Sequence, residues 1–205
     1  LIMKEENIGV LSAGERFHFR GFGWIVLDNN VNDGVLAIMA FPLNNEEYSF
    51  DDDGCNNYAR SSLRRKLLNE LLPVLSEDNL IPHEVDLVAD NGDDCYGTVT
   101  DRVFILSCDE YRKYHKYVPL LPGWTWTCTP WYITGTGDGG YVRSVNAAGG
   151  LNHIIAHSSG RVAPACVFNP KNLKLHRQVQ MVEAYCPPMV IRKFWKEREL
   201  FEADR

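Results

Sequence analysis

Two histidines in the last third of the chain have the spacing of metal ligands. His153 and His157 are four residues apart, which places them on one face of a helix or of a strand. The segment lacks the glutamate of a zinc-protease helix, and its apolar residues predict a strand. The pattern therefore indicates either a zinc site completed by Cys186 or His176, or two ordinary half-buried histidines.

An acidic turn offers a second set of metal ligands. Asp51, Asp52 and Asp53 precede Gly54, with Asn56 nearby, and several oxygens so placed suit calcium. The run lacks the full calcium-loop pattern and its distal glutamate, so the alternative is a solvated acidic turn. We expect no cofactor, with a structural zinc or calcium ion as the competing interpretation.

Catalytic signatures are missing from the sequence. The six cysteines form no C-x-x-C pair, and a thiol oxidase would need Cys128 and Cys166 to meet across strands. Neither a nucleophile elbow nor a phosphate-binding loop is present. The sequence therefore predicts a protein that is not an enzyme.

The densest group of contact-forming side chains lies between Trp124 and Ser159. Tryptophan and tyrosine alternate there with glycine, serine, asparagine and threonine, a mixture typical of binding loops. The predicted partner-binding rim consists of Trp131, Tyr132, Asp138, Tyr141, Arg143 and Asn146. Other aromatic residues lie within apolar strands and are expected in the core. These core candidates are Trp24, Phe104, Trp126 and Phe168.

A mixed set of strands and helices must position these side chains. β-forming residues between turn sequences predict strands near residues 17–19, 24–27 and 35–40. Leucines at helical spacing after the candidate capping residues Ser61 and Ser62 predict a helix that ends at Pro73.

The remaining elements complete an α+β pattern. A second helix is predicted from Cys108, with Tyr111, Tyr114 and Val118 at helical spacing before Pro119, and short strands are predicted over 124–168. Residues 191–203 have the pattern of a short amphipathic helix. The predicted fold class is α+β, with antiparallel sheets, two main helices and this short C-terminal helix.

Length and charge limit the possible functions. The 205 residues fit one domain, which we place at 1–170, followed by a basic extension at 171–205 packed on it. A formal net charge of −6 argues against non-specific nucleic-acid binding. Acidic residues concentrate in 28–53 and 77–101. No segment has the length and apolarity of a membrane span, and no signal peptide is apparent, so we expect no membrane contact and a cytoplasmic location.

Several blocks, in order, resemble a functionally uncharacterised family of bacterial and prophage domains. The blocks are FRGFGWIVL at 19–27, YARSSLRRKLLN at 58–69, TDRVFILSCDE at 100–110, WTCTP at 126–130, YV at 141–142 and GRVAPA at 160–165. The closing blocks are similar to those of C-type-lectin-like domains, including the formylglycine-generating and phage tropism branches. The resemblance implies a C-type-lectin-like fold and a prophage-encoded protein in the cytoplasm of a bacterial host.

The chain departs from the family pattern at two positions. Family members usually have arginine where this chain has Cys128 and Ala163. A ligand contact or buried ion pair made by those arginines is therefore absent here, or is supplied by Arg143 or Arg161.

Two functions remain as hypotheses. The first is a non-catalytic recognition domain that binds a protein, or alternatively a glycan, through the aromatic rim. The second is a phage-encoded inhibitor of a host defence nuclease, of the anti-CRISPR kind. Its acidic surfaces, including Asp51, Asp52 and Asp53, would occlude the basic nucleic-acid channel of the nuclease.

Overall fold

A computed structural model of the chain describes residues 2–133, 140–179 and 199–202. Mostly antiparallel sheets combine there with two helical elements, so the α+β prediction is confirmed, while the lectin-like topology stays a prediction. The strands are β1 (Ile2–Asn7), β2 (Arg16–Phe19), β3 (Phe22–Val31), β4 (Gly34–Met39), β5 (Tyr48–Ser49), β6 (Leu80–Ile81), β7 (His83–Asp86), β8 (Thr98–Asp101), β9 (Trp124–Pro130), β10 (Tyr141–Asn146), β11 (Leu151–Ile155), β12 (Ser159–Gly160), β13 (Ala165–Phe168), β14 (Leu173–Val179) and β15 (Glu199–Glu202).

The largest sheet has eight strands in the order β1-β14-β15-β2-β3-β4-β13-β6. Neighbouring strands are antiparallel except β15 and β2, which are parallel. The predicted meander of β2, β3 and β4 is confirmed. Asn32 and Asp33 turn the chain between β3 and β4 with φ of 51° and 62°, a conformation that these two residue types tolerate well in hairpin turns.

Aromatic side chains fill the core beneath this sheet. The ring of Phe168 meets Phe17, Phe19 and Trp24 edge-on, with centroids 5.2, 5.7 and 4.9 Å apart. Edge-to-face contacts of this kind add to the gain from burial alone. All four predicted core aromatic residues are buried, so that prediction is confirmed for Trp24, Phe104, Trp126 and Phe168.

The first helix has three continuous parts: α1 (Ser62–Lys66), a π-helical turn (Leu67–Leu71) and α2 (Leu72–Leu75). As predicted, Ser61 caps its start by accepting a first-turn backbone N–H. The predicted end at Pro73 is wrong. Proline is tolerated there because it lies in the first turn of α2, after the wider π-helical turn has interrupted the regular hydrogen-bond pattern.

The second predicted helix is present as α3 (Cys108–Tyr114), which starts as predicted but ends before Val118 and Pro119. Ser107 and Glu110 form a reciprocal capping box at its start. Short 3-10 turns occur at Ile8–Val10, Leu43–Asn45, Tyr58–Arg60 and Glu77–Asn79.

The predicted C-terminal helix is only partly covered by the described residues. Residues 191–198 lie outside them, and Glu199–Glu202 is strand β15 rather than helix. Pairing with β14, in which Leu200 lies opposite Leu175, satisfies its backbone groups in the sheet instead. Within the described part of the chain, no helix is long and apolar enough to cross a membrane.

Three smaller sheets flank the main one. Strands β9, β10 and β11 form an antiparallel sheet with β10 in the middle. β5 pairs with β12, and β7 pairs with β8. Tyr141, Arg143 and Asn146 of the predicted partner-binding residues lie in β10, and Trp131 and Tyr132 follow the end of β9.

Candidate functional site

Four aromatic rings at one end of the three-stranded sheet form one contiguous group, which we call the aromatic patch: Trp131 and Tyr132, just after β9, Tyr141 in β10 and His153 in β11. The Trp131 indole stacks on the His153 imidazole, with centroids 3.7 Å apart and planes inclined by 11°. Tyr132 and Tyr141 stand steeply to the indole, at centroid distances of 5.2 and 5.7 Å. All four residues are half-buried, so the patch keeps part of its surface open to solvent.

A buried asparagine ties the patch to the body of the protein. Asn56 is 2% exposed, and its Nδ2 donates to the backbone oxygens of Tyr132 at 2.8 Å and Tyr141 at 3.2 Å. The Tyr96 hydroxyl donates to Asn56 Oδ1 at 2.8 Å. Gly140 makes this arrangement possible, because a Cβ there would lie 2.4 Å from Asn56 Cγ. The backbone on both sides of the patch is therefore fixed.

A row of charged side chains borders the patch. Arg143 lies opposite His153 in the pairing of β10 with β11. Its Nε is 3.5 Å from Asp90 Oδ2, and Arg112 Nη2 is 3.1 Å from Asp90 Oδ1. The backbone N–H of Asp90 donates to Pro130 at the end of β9. Only 15% of the Arg143 side chain is exposed, so it forms a mostly covered border beside the rings.

Two residues of the predicted rim have other positions. Asn146 shapes the turn between β10 and β11, where its Oδ1 accepts the N–H groups of Ala148 at 2.9 Å and Gly150 at 3.0 Å. Its side-chain oxygen is thus occupied within the turn. Asp138 lies outside the described residues.

The acidic turn is split between the interior and the surface. Asp51 is 3% exposed, and its two oxygens accept the backbone N–H groups of Cys55 and Ser62, each at 2.9 Å. The prediction of Asp51 as a surface contact is therefore corrected, because its carboxylate serves the backbone of the turn and of α1. Asp52 and Asp53 are exposed.

The two candidate zinc ligands occupy different surroundings. His153 lies in β11 within the aromatic patch, whereas His157 follows that strand in a turn beside Gly54. Among the described residues, neither belongs to a cluster of three potential ligands. Cys186 lies outside those residues, so the zinc site stays a prediction. The cluster that the described residues contain is Asp93, Asp94 and Cys95, on an exposed loop.

The cysteines considered for thiol chemistry are buried. Burial raises the pKa of the Cys128 and Cys166 thiols well above the usual value, which favours the less nucleophilic protonated form. Ala163, the second departure from the family pattern, is also buried. Arg161 Nη1 donates to the backbone oxygen of Asn45 at 2.7 Å.

Tertiary structure adds residues that local patterns do not identify. Asn56 carries no local signal of its role, since its partners come from distant segments. Arg60 and Arg65 lie beside the acidic turn and line the same cavity. Trp124, a further candidate for an exposed patch, is 39% exposed but lies at the opposite end of β9 from Trp131.

Comparison with known proteins gives no match to any protein-family model, curated protein or solved structure. The aromatic patch is therefore the strongest indication of function within the described residues.

Proposed function

We propose that the protein is a recognition domain that binds a protein partner through the aromatic patch. The observation that carries the proposal is the stack of Trp131 on His153 within a group of half-buried rings. Tryptophan and tyrosine are enriched among the residues that dominate binding energy at protein interfaces. The aromatic patch, whose rings keep part of their surface in solvent, has the side chains expected at the centre of a protein interface.

The patch is organised before any partner arrives. Its rings restrain one another, and Asn56 fixes the backbone oxygens of Tyr132 and Tyr141. Binding then orders few additional side chains, so little conformational entropy is lost. Preorganised aromatic side chains of this kind supply contact area at low entropic cost.

The surroundings of the patch favour a protein over a glycan. The charged row of Arg143, Asp90 and Arg112 gives an apolar centre a polar border, the usual anatomy of a protein interface. One face of the Trp131 indole is covered by His153. This cover leaves less open ring face on which a sugar can stack.

A capture experiment with a matched control tests the proposal. Wild-type protein, Trp131→Ala and Trp124→Ala are immobilised as baits for an extract of the organism that encodes the chain. Proteins retained by wild type and by Trp124→Ala should be lost from Trp131→Ala. The control removes an exposed tryptophan from the other end of β9. Equal affinity of the captured partner for all three baits would refute the proposal.

Inhibition of a defence nuclease is the second candidate, favoured by one contact. The bond between the Tyr96 hydroxyl and Asn56 holds the acidic loop 90–94 close to the acidic turn. Asp52, Asp53 and Asp94 are exposed, and we infer that their charges would compete with nucleic acid for a basic channel.

Charge reversal tests this second candidate. The double variant Asp52→Lys, Asp53→Lys should weaken inhibition of a CRISPR-type nuclease and flatten its dependence on salt. Asp51 is left intact because it is buried. Full inhibition by the double variant would eliminate the electrostatic mechanism.

A further inference from the structure

We propose that a cavity beside the acidic turn binds a small phosphate-bearing ligand through Arg60 and Arg65. The cavity has a volume of about 400 Å³ and is lined by Asp51, Asp53, Cys55, Arg60 and Arg65. This site is separate from the aromatic patch, and its function does not depend on the recognition role proposed above.

The two arginines lack the ion pairs that their neighbours make. Arg64 binds Asp101 through two hydrogen bonds of 2.8 and 2.7 Å, and Lys66 pairs with Glu70. Within the described part of the chain, Arg60 and Arg65 form no ion pair with a carboxylate. Although Asp51 and Asp53 also line the cavity, neither lies within ion-pair distance of these arginines, so both guanidinium groups keep N–H donors for a bound anion.

The main chain fixes the positions from which both exposed arginine side chains extend. Arg60 ends the 3-10 turn Tyr58–Arg60, and Arg65 lies in α1, with the capping residue Ser61 between them. Arg65 Nη1 also donates to the backbone oxygen of Arg60. This bond uses one of the five N–H groups of the guanidinium and leaves the others for a ligand.

The acidic residues of the cavity affect an anion differently. The Asp51 carboxylate already accepts two backbone N–H groups, which offset part of its charge. Asp53 is exposed and opposes an anion by like charge. Removing the Asp53 charge should therefore tighten anion binding, whereas it should weaken binding of a cationic ligand.

Phosphate is the group that best matches the arginines. A guanidinium offers parallel N–H donors to phosphate or carboxylate oxygens, and two guanidinium charges complement a dianion better than a monoanion. The cavity is larger than one phosphate group. Its occupant is therefore either a phosphate ester, with the remainder of the molecule in the cavity, or free phosphate.

Calorimetric titration of the full chain tests the site, with inorganic phosphate, phosphoserine and acetate as probes. Phosphate should bind and acetate should bind at least about tenfold more weakly. Arg60→Ala and Arg65→Ala should each weaken phosphate binding about tenfold. Arg16→Ala, which removes an exposed arginine of β2, should change nothing. Asp53→Asn should strengthen binding.

Three outcomes would overturn the proposal. The first is absence of phosphate binding to wild type at about 10 mM. The second is a loss of phosphate affinity in Arg16→Ala equal to that in Arg60→Ala and Arg65→Ala, which would indicate non-specific attraction between phosphate and the protein. The third is weaker binding in Asp53→Asn. Phosphoserine distinguishes the two sources, because tighter binding than phosphate indicates an ester and equal binding indicates the free ion. Circular dichroism of each variant checks that it is folded.

Discussion

The indole of Trp131 lies face to face with the imidazole of His153 across an intervening strand. Trp131 follows the end of β9 and His153 lies in β11, while β10 separates these strands in the sheet. Tyr141 of β10 contacts both rings, with centroids 5.7 and 5.5 Å away. Neighbouring strands are about 4.8 Å apart, so the side chains of Trp131 and His153 reach toward each other over β10 to bring their ring centroids within 3.7 Å. The rings therefore cover the middle strand and remain partly open to solvent.

Removing the imidazole should loosen the patch. We expect His153→Ala to reduce stability by about 1 kcal/mol, because a stacked aromatic contact is lost, and to weaken capture of the partner. His153→Phe keeps a ring and should retain both properties. Urea unfolding and the capture assay measure the two effects. The same pair tests the zinc prediction, since loss of bound zinc in both variants would show that His153 is a ligand instead.

Gly140 should not tolerate a side chain. A Cβ at this position would lie 2.4 Å from Asn56 Cγ, so Gly140→Ala should reduce the free energy of unfolding by about 2 kcal/mol. Gly23→Ala is the control, because its Cβ would meet neighbouring atoms at 3.6 Å or more. Urea titration of both variants measures the difference. Equal stability of the two would show that Asn56 can move aside, and that the backbone of the patch is not fixed.

Arg64 should be a stabilising residue. It makes two hydrogen bonds to Asp101, whose side chain is 2% exposed, so Arg64→Ala would leave a buried carboxylate unpaired. We expect a loss of about 3 kcal/mol. Lys66→Ala, which removes the more exposed pair with Glu70, should cost only about 0.5 kcal/mol. Chemical denaturation measures both variants. If Arg64→Ala and Lys66→Ala reduced the free energy of unfolding equally, the burial of the Asp101 side chain would be contradicted.

Thiol labelling should follow exposure and local charge. Cys95 is exposed, and a hydrogen bond to Asp93, together with the charge of that carboxylate, raises the pKa of its thiol. Because the thiolate is the reactive form, its labelling rate should rise with pH, and Asp93→Asn should shift this rise to lower pH. Mass spectrometry of iodoacetamide-treated protein measures the profile.

Two controls accompany this measurement. Asp33→Asn, in the distant β3–β4 turn, should leave the Cys95 profile unchanged. Buried Cys128 and Cys166 should resist labelling until the protein unfolds. Rapid labelling of either in the native state would show that the core is more accessible than its packing indicates.

Local patterns were sufficient for the meander of β2, β3 and β4 and for the starts of both main helices. The alternation of β2, β3 and β4, the cap at Ser61 and the start of α3 at Cys108 depend on spacings within a few residues, and these features agree with the structure. Core aromatic residues were predictable for the same reason. The continuation of the first helix past Pro73 and the strand at Glu199–Glu202 were not predictable in this way. At both places neighbouring turns or strands outweigh the preference of the local sequence.

The amino-acid sequence alone determined the composition of the candidate site: tryptophan, tyrosine and glycine in one segment, and aspartates in another. Only the tertiary structure decided which of them meet. Asn56 binds residues 76 and 85 positions away, and the stack of Trp131 on His153 depends on the order of three strands. Contacts between distant segments follow from sheet register and packing, which no short-range periodicity encodes. For that reason Asp51 is buried, while Arg60 and Arg65 face a shared cavity.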